Sequence, residues 1–307
     1  MTLQQLKYIV AIDKYCHFGK AAEACEVTQS TMSLMVKKLE DELDIKIFDR
    51  DSFPITATEI GRKVIDQAKV VLYNCEQIQS IPDSEKGSLS GTLRMGLIST
   101  VAPILIPGMY KYMSAEYPSI TLVTEEMLTD NIMDKLHKAE LDIGIVTSPV
   151  RDPQIWEIPL YSERFFAYVS DKSPAYGKES IPVKDLRKYP LWIMRNGVRL
   201  MHESDYEGGD ISYERFFEGG RVGTLLQIVN ENGGITIIPE THIKYILYSL
   251  QERIKPIVDK ERRRTICLAI RKDYIHEAAL NAVIKAIKSI IPANMLENSI
   301  KSDYIKL

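Results

Sequence analysis

Two short amphipathic segments joined by a tight turn, near the start of this 307-residue chain, constrain its fold more than any other feature. In each segment the apolar residues recur three or four positions apart, which places them on one face of a helix. The first face is Phe18, Ala21, Ala22 and Cys25, and the second is Met32, Val36, Leu39 and Leu43. Such a pair occurs in ordinary helical cores. It is also typical of a helix-turn-helix, whose second helix enters the DNA major groove.

The flanking sequence completes a candidate winged helix over residues 1–58. The inward face of a preceding helix is formed by Leu3, Leu6 and Val10. After Leu43, two short strands around a turn are predicted over Ile45–Ile55, and together they would form the wing. Thr28 precedes the second helix of the pair, where its hydroxyl is suited to cap that helix.

A long helix is predicted after this domain, over residues 59–81. Thr56 and Glu59 have the spacing of a capping box at its start. The helix carries an apolar stripe formed by Ile60, Val64, Ala68, Val71, Cys75 and Ile78, widened by Ile65 and Leu72. This stripe either packs on its own domain or pairs with a second subunit. Residues 82–91, which contain Pro, Gly and Ser, are predicted to form a hinge.

Candidate DNA-contacting residues lie at the start of the second helix, along it and in the wing. They are Thr28, Gln29, Ser30, Thr31, Ser33, Lys37 and Arg50. The charge balance argues against DNA, because residues 1–58 hold six Lys and one Arg against five Asp and four Glu. DNA-binding modules are usually basic. We therefore expect weak attraction to phosphates and a need for dimerisation.

Composition indicates an ordinary globular protein, with 45% hydrophobic and 26% charged residues. The first twelve residues lack the pattern of a signal peptide, and no run of about 18 apolar residues occurs, so a cytoplasmic protein without membrane contact is expected. The four cysteines, Cys16, Cys25, Cys75 and Cys267, lack metal-ligand spacing and are expected to be free thiols. No catalytic triad order, P-loop, dinucleotide fingerprint or metal motif is found, so neither an enzyme nor a cofactor is expected.

From residue 92 the pattern changes to alternating strands and helices, which predicts an α/β fold with parallel strands. The predicted strands include Leu93–Ile98, Ile120–Thr124, Leu141–Thr147, Leu191–Met194 and Ile235–Ile238, with a strand-rich passage over Trp156–Val169. A late strand, Thr265–Arg271, would return to the first lobe before a closing helix, Ala278–Ile290. We predict a two-lobed α/β domain over residues 92–307, with lobe I at about 92–161 and 267–307 and lobe II at about 162–266.

Polar residues at the ends of strands and the starts of helices mark a candidate ligand site, because ligands of open α/β sheets bind there. The candidates are Ser99, Thr100, Thr129 and Thr147 in the first lobe and Asn196, Gly197, Val198, Arg199 and Gly234 in the second. Each Ser or Thr alone is more simply a helix cap, but several such turns converge on one cleft. Arg199 and the helix N-termini would favour an anion.

The N-terminal block resembles the DNA-binding domain of LysR-type transcriptional regulators. The similarity is carried by Ala21–Glu23, Val27–Ser30, Ser33, Lys38–Leu43 and Phe48–Arg50, at the chain position where that family has its helix-turn-helix. The resemblance implies a two-lobed effector domain similar to periplasmic binding proteins. It also implies long helices that pair between subunits, and a homodimer or homotetramer on a roughly palindromic promoter. RNA polymerase is a further candidate partner.

The second half is similar to the peroxide-sensing OxyR branch of that family. The matching segments are Gly96–Val101, Leu105–Pro107, Leu136–Asp142, Asn232–Thr236 and Arg263–Ile266. Thr100 and Thr129 match positions that frame the peroxide site of that branch. Its reactive Cys and resolving Cys would fall at Val198 and Glu207, and Gly197 stands where a His is expected. A thiol switch needs both sulfurs, so the resemblance and the residues disagree about the signal.

We interpret the chain as a LysR-type regulator with an OxyR-like body that lacks the thiol pair. Its predicted signal is a small effector, with an anion as the favoured class, whose binding between the lobes changes lobe closure. Two alternatives stay open at this point, redox sensing through other cysteines and constitutive regulation without an effector. Cys16 and Cys25 lie nine residues apart in the DNA-binding domain, although apolar burial is their simpler role.

Overall fold

The chain folds into two units, and this computed structural model describes residues 1–85, 89–194, 214–217, 221–258 and 263–300. One unit consists of Met1–Ser88 with Asp134–Glu140, and the other of Leu89–Met133 with Leu141–Leu307. The predicted helix-turn-helix with a wing and the two-lobed α/β domain are both confirmed.

The N-terminal unit is a winged helix followed by a long helix. Its helices are α1 (Leu3–Tyr15), α2 (Phe18–Ala24), α3 (Gln29–Leu43) and α4 (Glu59–Glu85), and its strands are β1 (Phe48–Asp49) and β2 (Thr56–Ala57). The two strands pair antiparallel, with Phe48 opposite Ala57, and they enclose the turn of the wing. The first three helices begin after residues whose side chains accept hydrogen bonds from first-turn N–H groups, namely Thr2, His17 and Thr28.

The core of this unit is formed by the apolar faces that the sequence predicts. Its fully buried side chains include Ile9, Ile12, Met32, Val36, Leu39 and Ile65. Full burial of such a side chain contributes about 1.5–3 kcal/mol. Gly61 lets α4 approach the segment before the wing, because a Cβ at this position would lie 2.0 Å from the carbonyl oxygen of Ile47. Any larger residue at position 61 would therefore push α4 away from the wing.

Helix α4 differs from the prediction at both ends. Thr58 caps it, because its Oγ1 accepts a hydrogen bond from the N–H of Gly61 at 2.9 Å. The predicted capping box from Thr56 is wrong, since Thr56 belongs to β2. At the other end the helix continues to Glu85, so the predicted hinge over residues 82–91 starts inside it.

The apolar stripe of α4 is divided between two environments. Ile65 and Ala68 are buried in the core of their own chain, and Val71 packs against that core. Ile60 and Ile78 are exposed, with 47% and 65% of their surface accessible. The stripe therefore serves its own domain in part, and its exposed remainder is available to a second subunit.

The second unit is built on one mixed sheet, which has ten strands among the described residues. The strands are β3 (Gly91–Ile98), β4 (Ile120–Met127), β5 (Ile143–Thr147), β6 (Ile155–Val169), β7 (Ile181–Pro182), β8 (Leu191–Met194), β9 (Glu214–Phe217), β10 (Ile235–Pro239), β11 (Ile254–Val258) and β12 (Arg263–Arg271). The helices are α5 (Ala102–Glu116), α6 (Thr129–His137), which begins in this unit, α7 (Val222–Asn232) and α8 (Glu277–Ile290). Short 3-10 helices occupy Val183–Lys188, Glu240–Tyr245, Tyr248–Arg253, Ala293–Met295 and Asn298–Ile300.

Strand β6 belongs to both lobes. The strand order is β4-β3-β5-β12-β6-β10-β8-β9, with β11 paired to β6 and β7 paired to β11. β3 is parallel to β4 and β5, and β8 is parallel to β9 and β10, as crossover connections require. β6 pairs antiparallel with β12 as far as Arg164 and with β10 from Phe165 onward. The chain leaves the first lobe here and returns to it through β12, as predicted.

Beyond this crossing, alternate residues of β6 face two separate cores. Phe165, Ala167 and Val169 pack in one core, and Tyr168 packs in the other. The second core includes Val222, Leu225 and Val229 of α7. The period of two along a strand therefore distributes β6 between the two sides of the sheet in lobe II.

Candidate DNA interface and effector site

The helix-turn-helix is fixed by caps at the starts of α2 and α3. The Nδ1 atom of His17 accepts a hydrogen bond from the N–H of Gly19 at 3.0 Å. The Oγ1 atom of Thr28 accepts one from the N–H of Thr31 at 3.2 Å. Gln29 lies beside the start of α2, since a Cβ at Gly19 would be 3.3 Å from its Oε1. These contacts hold the first turn of α3 next to the first turn of α2.

The predicted DNA-contacting residues of α3 share one surface. Thr28, Gln29, Ser30, Thr31 and Lys37 are exposed, and Ser33 is half-buried. The hydroxyl of Thr28 is shared with its neighbours, because it lies 3.0 Å from Ser30 Oγ and 2.8 Å from Thr31 Oγ1. These side chains place exposed hydrogen-bonding groups on α3, as a groove-reading helix requires. Contact of these residues with DNA stays a prediction.

Arg50 pairs with a buried carboxylate of its own domain. Its Nη2 lies 3.0 Å from Oε2 of Glu40, which is 1% exposed. The other oxygen of Glu40 accepts hydrogen bonds from the N–H groups of Ile47 at 2.8 Å and Phe48 at 3.3 Å. The guanidinium also lies over the ring of Phe18, with 5.3 Å between Cζ and the ring centroid. The positive charge predicted for DNA is therefore engaged in positioning the wing, although the Arg50 side chain stays 39% exposed.

Glu40 was not among the predicted site residues, although the sequence carries a signal for it. The residue lies between the buried Leu39 and the end of the helix, on the same face as Val36. A charged residue on an apolar face indicates a buried ion pair with a residue elsewhere in the domain.

The wing turn carries acidic and apolar residues in place of basic ones. The side chain of Asp49 accepts a hydrogen bond from the N–H of Asp51 at 3.1 Å. Ser52 Oγ donates to the carbonyl of Asp49 at 2.9 Å. Phe53 is 89% exposed. With Arg50 engaged, the wing offers little positive charge to a DNA backbone.

In the second unit, Thr100 lies in a buried polar cluster at the crossing between the lobes. It follows β3 and precedes α5, as predicted, and it is fully buried. Its Oγ1 accepts a hydrogen bond from Nη1 of Arg264 at 2.8 Å. Its carbonyl accepts one from Nε2 of His242 at 2.9 Å. Thr100 therefore joins the first lobe to β12 and to the 3-10 helix that follows β10.

The cluster is centred on an ion pair between two buried residues. Glu163, on β6, is 0% exposed, and Arg264, opposite it on β12, is 6% exposed. Nε of Arg264 donates to Oε1 of Glu163 at 2.8 Å. Thr241 donates to Oε2 through its N–H at 3.1 Å and its hydroxyl at 2.6 Å. Burial of two charges is tolerated here because each is paired and hydrogen-bonded, and their net charge is zero.

Two further groups complete this cluster. Burial lowers the pKa of His242, the hydrogen bond to Thr100 opposes that shift, and the positive charge of Arg264 adds to it. His242 is therefore neutral near pH 7, with the proton on Nε2. The hydroxyl of Tyr161 is buried without a hydrogen-bond partner among the described residues. Burial raises its pKa, and the charge of Glu163 raises it further.

The other predicted effector residues have different surroundings. Thr129 is exposed at the start of α6, Thr147 is half-buried at the end of β5, and Ser99 is 8% exposed. Gly234 has φ +88°, and a Cβ there would lie 2.3 Å from the carbonyl oxygen of Pro190. Its conformation therefore has a backbone explanation that needs no ligand. Asn196, Gly197, Val198 and Arg199 lie outside the described residues, as does Glu207.

Arg264, Glu163, His242 and Thr241 were missed as site residues. Arg264 belongs to a segment that carries the OxyR resemblance, and Glu163 belongs to a predicted strand, but neither was predicted to have a partner. No comparable local signal was present, because Glu163 lies between Ser162 and Arg164, and Arg264 lies between Arg263 and Thr265 at the polar start of its strand. The sequence does not say which charge pairs with which, since the pairing spans about a hundred residues.

Cys267 is the only cysteine beyond Cys75 in the whole sequence. It is fully buried on β12, with Sγ 3.6 Å from the carbonyl oxygen of Val146. Burial raises the pKa of its thiol, and the nearby charge of Glu157 raises it further. Cys267 is therefore a protonated, inaccessible thiol, which is a poor nucleophile.

Within the described part of the chain, no group of three acidic, histidine or cysteine side chains is placed to hold a metal ion. None of the helices seen there combines the length and apolar character needed to cross a membrane.

Two family models match the chain. Residues 3–62 match the bacterial regulatory helix-turn-helix protein of the lysR family, and residues 86–290 match the LysR substrate binding domain. The hydrogen peroxide-inducible genes activator of Haemophilus influenzae is 29% identical over 299 residues, which cover 95% of this chain and 99% of that protein. The DNA-binding transcriptional dual regulator OxyR of Escherichia coli K12 is 28% identical, over 88% of this chain and 90% of that protein.

Solved structures agree with these matches. A full-length cysteine-to-aspartate OxyR variant from Pseudomonas aeruginosa has a TM-score of 0.81 at 28% identity and covers 97% of this chain and 98% of its own. A hydrogen peroxide-bound cysteine-to-serine OxyR mutant from Corynebacterium glutamicum has a TM-score of 0.61 at 25% identity, with 94% and 92% covered. With both of its domains matched by models of one family, the chain belongs to the LysR family of transcriptional regulators, and OxyR proteins are among its relatives.

Proposed function

We propose that this regulator acts in the cytoplasm, without enzymatic activity, by placing α3 in the major groove of a roughly palindromic promoter site. The exposed polar surface of α3 supports this docking, because the opposite face is buried in the core. Residues 1–58 carry a net negative charge, so a single domain would attract phosphates weakly. We therefore propose a homodimer or homotetramer on DNA, in which exposed Ile60 and Ile78 contribute to pairing. RNA polymerase is its proposed partner at the promoter.

The docking of α3 is tested by removing its polar side chains. The double variant Gln29→Ala/Ser30→Ala should lose sequence-specific binding and keep its fold, because both residues are exposed. Lys37→Ala should weaken binding to all sequences and reduce the salt-dependence slope by about one. Lys111→Ala, an exposed lysine on α5, is the matched control and should leave binding unchanged. An unaltered footprint for the double variant would show that α3 does not read the site.

We propose that the signal is a small, non-covalent effector held between the lobes near Ser99, Thr100, Thr129 and Thr147. The observation that carries this proposal is the state of Cys267, the single cysteine of the effector domain, which is buried with a raised thiol pKa. A disulfide within this domain needs two accessible sulfurs, and the domain contains one. Val198 and Glu207 supply neither a nucleophile nor a resolving thiol.

The buried cluster also limits the charge of this effector. Arg264 contributes no net positive charge, because Glu163 neutralises it. An anionic effector would therefore depend on Arg199 and on the N-termini of helices. Native mass spectrometry of the purified protein, compared with Thr100→Val and Arg199→Ala variants, tests this. A retained molecule that is lost in both variants supports the anion, and one that is lost only with Thr100 supports a neutral polar ligand.

A second candidate is redox control through other cysteines. It is favoured by relatives that are named hydrogen peroxide-inducible genes activators, and by the relative that was solved with hydrogen peroxide bound. Cys16 is exposed, and Cys25 and Cys75 are half-buried, so these three are its available thiols.

A cysteine-free variant separates the two candidates. Promoter output is measured with and without micromolar peroxide in wild type and in a variant with Cys16, Cys25, Cys75 and Cys267 changed to Ser or Ala. The effector proposal expects no cysteine-dependent peroxide response and retained regulation in the variant. A wild-type response to peroxide that disappears with the cysteines would establish redox control. Constant output under all conditions, with no retained molecule, would indicate a constitutive regulator.

A further inference from the structure

Leu34 is an apolar side chain in the middle of the exposed face of α3. It is 54% exposed, whereas Met32 and Val36, two residues to either side, are fully buried in the core. Ser30 and Lys37, one helical turn before and after it, are exposed. Leu34 is therefore surrounded by polar residues on the surface that is proposed to face DNA, and it contributes little to the core.

The chemistry of the major groove identifies the partner of such a side chain. Leucine has no hydrogen-bonding group, so it cannot read base donors and acceptors or hold a phosphate. The major-groove edges of the four base pairs present one apolar group, the C5-methyl of thymine. We infer that Leu34 packs against a thymine methyl group and selects an A·T pair with the thymine on the contacted strand at one position of each half-site. This inference rests on the proposed docking of α3.

The charges around Leu34 favour DNA over a second protein as the occupant. Lys37 and Lys38 lie three and four residues further along the helix and are both exposed. Lysine is depleted at the centres of protein interfaces, whereas it matches the phosphates that border a groove. This arrangement favours contact of Leu34 with a base and contact of the two lysines with the flanking DNA phosphates.

The test removes the methyl group from the DNA and the side chain from the protein. A binding site is first obtained by selecting duplexes from random DNA with the full-length protein. Each thymine of the half-site is then replaced in turn by deoxyuridine, which lacks only the C5-methyl. Wild type should lose about fourfold in affinity per half-site at one thymine, the effect of exposing one methyl group. Leu34→Ala should bind the thymine and deoxyuridine duplexes equally at that position.

Leu43→Ala is the matched control, since Leu43 lies on the same helix with 37% of its surface exposed but far from the first turn. It should keep the preference for thymine. If Leu34→Ala keeps that preference too, the inference is overturned, while a loss of specific binding in Gln29→Ala/Ser30→Ala would still support the docking of α3. If the double variant keeps its specific binding, the docking itself fails. A lower oligomeric mass of Leu34→Ala in light scattering would assign Leu34 to a subunit contact and also overturn the inference.

Discussion

Each of the two units contains a buried glutamate that pairs with an arginine, and the two arginines differ in their exposure to solvent. Glu40 in the helix-turn-helix and Glu163 at the lobe crossing each accept hydrogen bonds from a backbone N–H and from an arginine. Arg50 keeps 39% of its side chain in contact with solvent, whereas Arg264 keeps only 6%. The first pair fixes the wing of one small domain. The second joins β6, β12, Thr241 and Thr100, so it ties together elements that are far apart in the sequence.

Loss of the glutamate should therefore cost more stability where the paired arginine is shielded from solvent, as Arg264 is, than where it is exposed, as Arg50 is. Water can hydrate Arg50 if Glu40 is removed, because the guanidinium is already part of the surface. Water has little access to Arg264, so without Glu163 its charge would stay unpaired in the interior.

The largest expected effect follows from removing Glu163. Glu163→Leu should lower the free energy of unfolding of the second unit by about 3–5 kcal/mol, because it leaves a buried cation unpaired. Both tryptophans, Trp156 and Trp192, lie in this unit, so tryptophan fluorescence during urea unfolding reports it specifically. The double variant Glu163→Leu/Arg264→Met removes both charges and should recover most of the loss. A single variant that is nearly as stable as wild type would show that Arg264 is hydrated.

Removing Glu40 should have a smaller effect in a different domain. Glu40→Leu leaves the N–H groups of Ile47 and Phe48 without their acceptor, which costs about 1–3 kcal/mol, while Arg50 turns to solvent. Far-UV circular dichroism should show an earlier transition of the helical N-terminal unit, with the tryptophan transition unchanged. If Glu40→Leu destabilises as strongly as Glu163→Leu, exposure of the arginine does not explain the contrast.

The smallest expected effect is the pH dependence of the stability of the second unit, through His242 at the lobe crossing. The pKa of His242 is lowered on folding from its ordinary value of 6.5, so below that pH the unfolded chain binds a proton that the folded chain does not. Stability is therefore full above about pH 6.5 and falls with decreasing pH, by at most about 1.4 kcal/mol per unit. His242→Gln should flatten this slope in unfolding measurements between pH 7 and 5. His276→Gln is the comparison, since burial lowers the pKa of His276 as well, while the negative charge of Asp142 opposes that shift. An unchanged slope for His242→Gln would contradict the neutral imidazole.

The partners of the two glutamates could not be predicted from the sequence, whereas much of the local structure could. Local patterns predicted α2, α3 and the strands of the first lobe, because apolar spacing and helix starts are encoded within a few residues. Thr100 was placed correctly between β3 and α5 by the same reasoning. Its partners were not, since Arg264 and His242 follow it by 164 and 142 residues and meet it only through the sheet topology. The pairing of Arg50 with Glu40 could not be predicted either, because it depends on the folded wing, while the contact of Arg50 with DNA stays a prediction.

The shared strand β6 has a consequence for how this sequence can change over evolutionary time. Its first part pairs with β12 and its second part with β10, and its alternate residues Ala167 and Tyr168 face different cores. Deleting one residue near Arg164 would leave the first lobe in register and turn every later side chain to the wrong side of the sheet. The pattern of buried residues in both lobes therefore depends on the register of this one strand. We therefore expect insertions and deletions to be tolerated in the loops and not within this strand, because a change of length here affects both lobes.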